Sequence, residues 1–186
     1  MSHIKRVIFT LLFVSLAVFS FGQGAGAARH MKKGENVVGA KLALGGVYGA
    51  DLGFAANFEH GFQEGFLDMK EYGSTLGLGG SIGYSSYTSD FFGEWTFSSL
   101  IFLGTAYWHL DLFQVPELDT YSSFSLGYVS FSSEGPNGID YNFTDYGGVT
   151  WGFGAGFRYY LNPKLAVAGE LGVGMGILRL GVDYKL

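Results

Sequence analysis

Thr150-Trp-Gly-Phe-Gly-Ala-Gly-Phe-Arg-Tyr-Tyr-Leu161 alternates without a break. Trp151, Phe153, Ala155, Phe157, Tyr159 and Leu161 fall on one face of an extended chain. Thr150, Gly152, Gly154, Gly156, Arg158 and Tyr160 fall on the other. Successive side chains of a strand point to opposite faces, so this period of two predicts a strand. In a soluble sheet the apolar face would meet a core and the opposite face would carry charge. Here half of the opposite face is glycine, which weakens a strand in water. Small residues are what a narrow barrel lumen accommodates, and aromatic and aliphatic residues suit lipid. The stretch reads as one stave of a transmembrane barrel.

The pattern continues outward from it. Asn162-Pro163 makes a tight turn. Leu165, Val167 and Leu171 then alternate with Ala166, Ala168, Glu170 and Gly172, and Leu178, Leu180, Val182, Tyr184 and Leu186 with Arg179, Gly181, Asp183 and Lys185. Toward the N-terminus the same rule predicts strands over 36–46, 52–60, 73–86, 95–110 and 121–132. Lys41, Asn57, Glu59, Thr105, Tyr107 and His109 face inward. Val38, Leu42, Phe54, Phe58, Leu78, Ile82, Phe102, Trp108, Phe124 and Leu126 face outward. This makes an all-β, antiparallel up-and-down barrel of eight strands, each near the length a tilted membrane strand requires.

Composition agrees. Hydrophobic residues make up 48% and charged residues only 15%, with 31 glycines and 3 prolines. Beyond the N-terminus no apolar run is long enough for a spanning helix, so strands must do the spanning. In lipid every backbone polar group is paired within the protein, and a closed barrel is the one alternative to a helix.

The N-terminus has the parts of a secretory signal. Lys5 and Arg6 precede an apolar run over Val7–Phe21, and Ser20-Phe21-Gly22 sets small residues before a cut at Gln23. The expected domains are a signal peptide, 1–22, and an outer-membrane barrel, 23–186. Removing 1–22 takes away two basic residues and no acid, leaving nine basic against 16 acidic and a net charge of −7. Nucleic acid is excluded as a partner, since phosphate binding needs a basic surface. With no cysteine, lipid acylation, disulfides and thiolate metal sites are excluded too.

An even strand number puts both chain ends on one side, the periplasm. The connections 46–52, 87–94, 133–147 and 173–176 then lie outside the cell, and 61–72 and 111–120 inside. The longest outer one, 133–147, mixes turn formers, acids and aromatics and suits recognition of an extracellular ligand.

Thr105-Ala-Tyr-Trp-His-Leu110, Leu126-Gly-Tyr-Val-Ser-Phe131, Phe157-Arg-Tyr-Tyr-Leu-Asn-Pro-Lys164 and Leu180-Gly-Val-Asp-Tyr-Lys-Leu186 resemble the outer-membrane β-barrel domain common in Bacteroidota, related in architecture to OmpX and the OmpA barrel. The resemblance spans nearly all of 23–186. It implies an outer-membrane location, outer-membrane lipid and the barrel-assembly machinery as partners, and a loose porin-like label. Two positions depart from the pattern. Thr105 stands where the family often has arginine. Leu186 stands where its last residue is usually Phe, so Tyr184 and Leu186 would serve as the C-terminal assembly signal.

The inward ionisable residues are Lys41, Glu59, His109, Arg158, Glu170, Arg179, Asp183 and Lys185. They would either line a water-filled pore or pair and plug the lumen. Eight strands leave room for little but side chains, and isolated charges there are costly, which favours the plug. Arg158 and Glu170, on adjacent strands, are the expected pair. No serine lies two residues from His60 or His109, although Asp111 follows His109 closely, so no catalytic dyad is visible and no enzyme activity is expected. Gly77-Leu-Gly79-Gly80 lies inside a strand pattern and is no dinucleotide loop. No cofactor or metal site is expected. Trp95, Tyr159, Tyr160 and Tyr184 are expected in aromatic belts at the membrane interfaces.

Overall fold

The structure is a computed structural model and describes residues 30–47, 50–89, 94–135, 140–141 and 147–186. The signal segment 1–22 and most of the 133–147 connection lie outside these residues. The strands are β1 (Asn36–Val47), β2 (Ala50–Glu64), β3 (Thr75–Ser89), β4 (Trp95–Leu110), β5 (Leu118–Glu134), β6 (Asp140–Tyr141), β7 (Gly148–Tyr160), β8 (Leu165–Val173) and β9 (Leu178–Lys185). Neighbours pair antiparallel, β5 with β7, and β1 pairs with both β2 and β9. The sheet therefore closes on itself. The two-residue β6 pairs with the end of β5, beyond the ring. The eight long strands are the expected barrel.

Both described chain ends lie at one end of the barrel, the terminal end. Gly34 N donates to Gly61 O at 2.8 Å and Leu186 N to Asn36 O at 2.9 Å, tying them to the strand ends there. The opposite, loop end carries the β1–β2, β3–β4, β5–β7 and β8–β9 connections.

The fourth strand has its expected bounds, but others run longer. The strand expected over 52–60 extends to Glu64, and the one over 121–132 begins at Leu118. The connections expected at 61–72 and 111–120 shrink accordingly. The apolar signal fades in Gly61-Phe-Gln-Glu64, yet the ladder continues past an irregularity between Gly61 and Gln63. Pairing needs only backbone groups, so a strand outlasts its apolar pattern. Two 3-10 turns, Phe66–Asp68 and Lys70–Tyr72, fill the shortened connection.

The outward residues are as alternation requires. Phe54, Phe58, Ile82, Phe102, Phe124, Leu126, Trp151, Phe153, Leu171, Leu180 and Val182 are all exposed. Two aromatic expectations are corrected. Tyr160 is buried in the lumen under Lys185, whose Nζ lies 5.1 Å from the ring centroid. Trp95 shares the lumen-facing row with Phe97, their rings stacked at 6.4 Å. Both sit at positions of inward parity, which outweighs the preference of aromatics for interfaces.

Candidate functional site

Among the described residues, the lumen gathers the largest set of buried ionisable side chains. Eight strands bring their inward rows within reach of one another across the barrel, and the register decides which meet. Arg158 of β7 is fully buried at the centre. Its Nε donates to Asp183 Oδ2 at 2.6 Å and its Nη2 to Glu59 Oε2 at 2.6 Å, while Nη1 lies 3.6 Å from Asp119 Oδ2. The guanidinium fork thus spans three carboxylates from β2, β5 and β9, a geometry that lysine could not match.

His109 of β4 sits beside it. Nδ1 lies 2.9 and 3.0 Å from the two oxygens of Asp119, and Nε2 lies 2.6 Å from Glu59 Oε1. Ionised carboxylates only accept, so both ring nitrogens donate and the ring is an imidazolium. Asp111, expected near His109, turns instead to His30 Nε2 at 3.2 Å.

Glu170 of β8 forms the second knot. Arg179 Nη2 and Ser123 Oγ each donate to Oε1 at 2.5 Å, and Tyr121 Oη donates to Oε2 at 3.3 Å. Lys41 Nζ links the knots, 3.9 Å from Glu170 and 3.8 Å from Asp183, and donates to Tyr121 Oη at 3.4 Å. The Tyr121 ring lies 5.1 Å from the Arg158 guanidinium. Together Lys41, His109, Arg158 and Arg179 oppose Glu59, Asp119, Glu170 and Asp183. Four positive groups balance four carboxylates, as burial demands.

The expected Arg158–Glu170 pair does not form. In the β7–β8 register Arg158 lies opposite Ala168 and Glu170 opposite Gly156, whereas Glu170 lies directly opposite Arg179 on β9. Adjacent strands were the right neighbourhood, but the register selected β9. Lys185 stands apart from the knots, with Nζ 2.8 Å from Glu35 at the terminal end.

Above the charged groups, toward the loop end, the lumen changes character. Ala43, Ile101, Leu103, Val129 and Met175 form an apolar cluster. Met175 comes from the short β8–β9 connection, between Gly174 at φ 110° and Gly176 at φ 84°. These left-handed glycines fold the link inward. Gly83 makes room for it, since a Cβ there would lie 2.5 Å from the Met175 sulfur. Between the layers is a cavity of about 20 Å³ bordered by Asn57, Thr105, Tyr107, Arg179 and Met175, room for about one water. At the terminal end Met31 is only 1% exposed, as is Met175 near the other end.

Sequence reading missed Asp119, Tyr121, His30, Met31 and Met175. Asp119 was legible, because it continues the inward row Tyr121, Ser123, Ser125 by one step. The glycines flanking Met175 were a weaker signal. His30 and Met31 precede the first strand and carry none. Of the two residues expected to signal assembly, Tyr184 faces outward with Lys164 Nζ 5.5 Å from its ring centroid, and Leu186 is exposed.

No protein-family model matches the sequence, and no similarity to a curated protein reaches significance. Among solved structures the chain is similar to a de novo designed transmembrane β-barrel, at 18% identity and a TM-score of 0.47, covering 84% of this chain and 99% of that one. It is also similar to Ail, the attachment invasion locus protein of Yersinia pestis, at 14% identity and a TM-score of 0.47, covering 83% and 99%. A second structure of Ail, in a phospholipid bilayer nanodisc, gives 18% identity and a TM-score of 0.46 over 83% and 100%. The likeness is one of fold.

Proposed function

We propose that the chain is an integral outer-membrane barrel with a structural or surface-interaction role and little or no passive permeability. The observation that carries this reading is the inside-out distribution of its side chains. The exposed outward face is apolar along the middle of every long strand, while the charged groups are paired within the lumen. Water is a poor solvent for that exterior and lipid a good one.

The accompanying assignments are a signal peptide over 1–22, periplasmic chain ends, and outer-membrane lipid as the surrounding partner. Tyr184 and Leu186 are the proposed signal to the assembly machinery. The resemblance to the Bacteroidota barrel domain supports the envelope location, and the 133–147 connection is the proposed place for an extracellular ligand. No catalytic role is assigned.

The test is single-channel conductance of the refolded protein in a planar bilayer, after a heat-dependent gel shift has established folding. A silent bilayer with folded protein is expected. Steady, reproducible openings would replace this reading with a narrow pore for ions or small solutes.

A further inference from the structure

Two connections at the terminal end fold back over the outside of the barrel. One joins β2 to β3 and the other β4 to β5, and Asp111 N of the second donates to Tyr72 O of the first at 2.7 Å. Between them they hold Leu67, Asp68 and Gln114 at φ 55°, 57° and 52°, the left-handed non-glycine residues among those described. Such backbone persists only where its surroundings impose it. In the first connection Phe66 meets the lipid-facing Trp108 edge to face, with ring centroids 6.2 Å apart. Trp108 Nε1 donates to Ser74 Oγ at 3.0 Å, and Ser74 Oγ to Phe66 O at 2.9 Å, which holds both rings in place. In the second, Leu112 and Phe113 are exposed and stand over the same stretch of wall as Leu110 and Leu118.

These apolar side chains head two troughs in the outer wall. The first, of about 670 Å³, lies between Leu112, Phe113 and the row Trp108–Ser122–Ala155–Leu171–Leu178. Its floor is low because Ser122, Ala155 and Gly169 are small. The second, of about 550 Å³, runs beside Phe66 and the row Ala106–Phe124–Phe153. Both are lined by Trp108 and Ser122, so they lie side by side with the indole between them. The first trough also follows the row Leu110–Thr120–Phe157–Gly169–Leu180, from the last residue of β4 to the interior of β9. That crossing, from β4 to β5, β7, β8 and β9, is four strand steps or about 19 Å. At the strand tilt of about 35–45° usual in such barrels it climbs about 11–13 Å. One leaflet's hydrocarbon is about 15 Å deep, half of the bilayer core. A further trough, beside Leu42, Phe54 and Ile82, is lined by strand residues alone and has no such head.

We infer that the paired troughs seat the two acyl chains of one net-neutral, amine-headed phospholipid from the leaflet at the terminal end. The inference rests on the outer-membrane reading above. Hydrocarbon gains nothing by leaving hydrocarbon, so a bound lipid is selected by fit and by its head group. Two adjoining troughs that start at the rim and reach toward the middle of the membrane fit a lipid with two chains. Its head group lies over the joined connections. There Asp111 is engaged by His30, and Asp68, Glu71 and Glu117 stand against Lys70. That excess of acid repels an anionic head group. It favours a zwitterion, with its phosphate toward Lys70 and its ammonium toward the carboxylates.

The test is native mass spectrometry of the refolded protein, taken into detergent from bilayers of mixed phosphatidylethanolamine and phosphatidylglycerol. The native chain should retain a single two-chain lipid. Phosphatidylethanolamine should be kept over phosphatidylglycerol by roughly five-fold, the worth of about one net hydrogen bond. Ser122→Leu with Ala155→Leu fills the troughs from their floors, keeps the outer face apolar, and should abolish retention. Glu71→Gln with Glu117→Gln should keep the lipid and lose the preference. Unchanged retention in the filled variant, a preference for phosphatidylglycerol, or a preference that survives the glutamine variant overturns the inference. So does equal retention of single-chain lysophosphatidylethanolamine, which would leave one trough without an occupant. A lipid-free dimer also overturns it, by making the face a contact between copies. If the doubly filled variant shows no heat-dependent gel shift, Ala155→Leu alone is used under the same criteria. A native chain that enters no bilayer defeats the membrane reading and this inference together, whereas insertion without a retained lipid defeats this one alone.

Discussion

Toward the terminal end the lumen is filled by Arg158, His109 and their carboxylates, and toward the loop end by Ile101, Leu103, Val129 and Met175. One inward row of β4 supplies both, running His109, Tyr107, Thr105, Leu103, Ile101. The two halves fill the same kind of space by different rules. Apolar contacts are non-directional, so a cluster can repack after a small change. An ion network depends on angles and on complete pairing, and removing one member strands the others. The charged half should therefore be brittle and the apolar half tolerant.

The largest effect should come from Arg158→Met. It leaves Glu59, Asp119 and Asp183 facing one another, and should cost about 3–5 kcal/mol or prevent folding. Urea titration followed by the heat-dependent gel shift measures it. A loss under about 1 kcal/mol would mean that the charged half is no more brittle than its neighbour.

Leu103→Ala removes far more volume from the apolar half than Arg158→Met removes from the charged one, and strands no charge. It should cost about 2–4 kcal/mol and still give a folded barrel. Failure to fold would reverse the ranking of the halves.

Met175→Gly separates closure from stability. Its loss should be smaller, about 1–3 kcal/mol, because the connection lies at the rim. A cysteine introduced at Asn57 should then react with a small thiol reagent added from the loop end, and react slowly when Met175 is present. Conductance should stay absent, because the charged half still fills the lumen. Steady current through Met175→Gly would show that the apolar layer alone closes the barrel.

Lys185→Met should matter least, under about 1 kcal/mol. Its ion pair with Glu35 is part-buried at the rim, with the carboxylate side chain 29% exposed, so solvent screens it more than the pairs around Arg158. A loss as large as that for Arg158→Met would place Lys185 within the network.

The alternation at Trp151–Tyr159 and Leu178–Leu186 was enough to read strand, face and closure from residue order alone. It also sorted Lys41, Glu59, His109, Arg158, Glu170, Arg179 and Asp183 to the inside, because parity along a strand is a local property. It failed where local signals compete or stop. Tyr160 and Trp95 obey parity against aromatic habit, and Asp119 lies past the point where apolar residues thin out.

Which inward charges meet was decided by register and strand tilt around the closed ring, and these are properties of the whole sheet. Glu170 faces Arg179 and not Arg158 because the β8–β9 register sets it there. Glu59, Asp119 and Asp183 reach Arg158 from three strands far apart in sequence. Met175 joins the lumen cluster because the closed ring brings Ala43, Ile101, Leu103 and Val129 around it. The sequence by itself determined that there would be a barrel with an apolar outside and a charged inside, since alternation is written residue by residue. Only the tertiary structure decided the partners within, since those follow from how eight strands are offset when the ring closes.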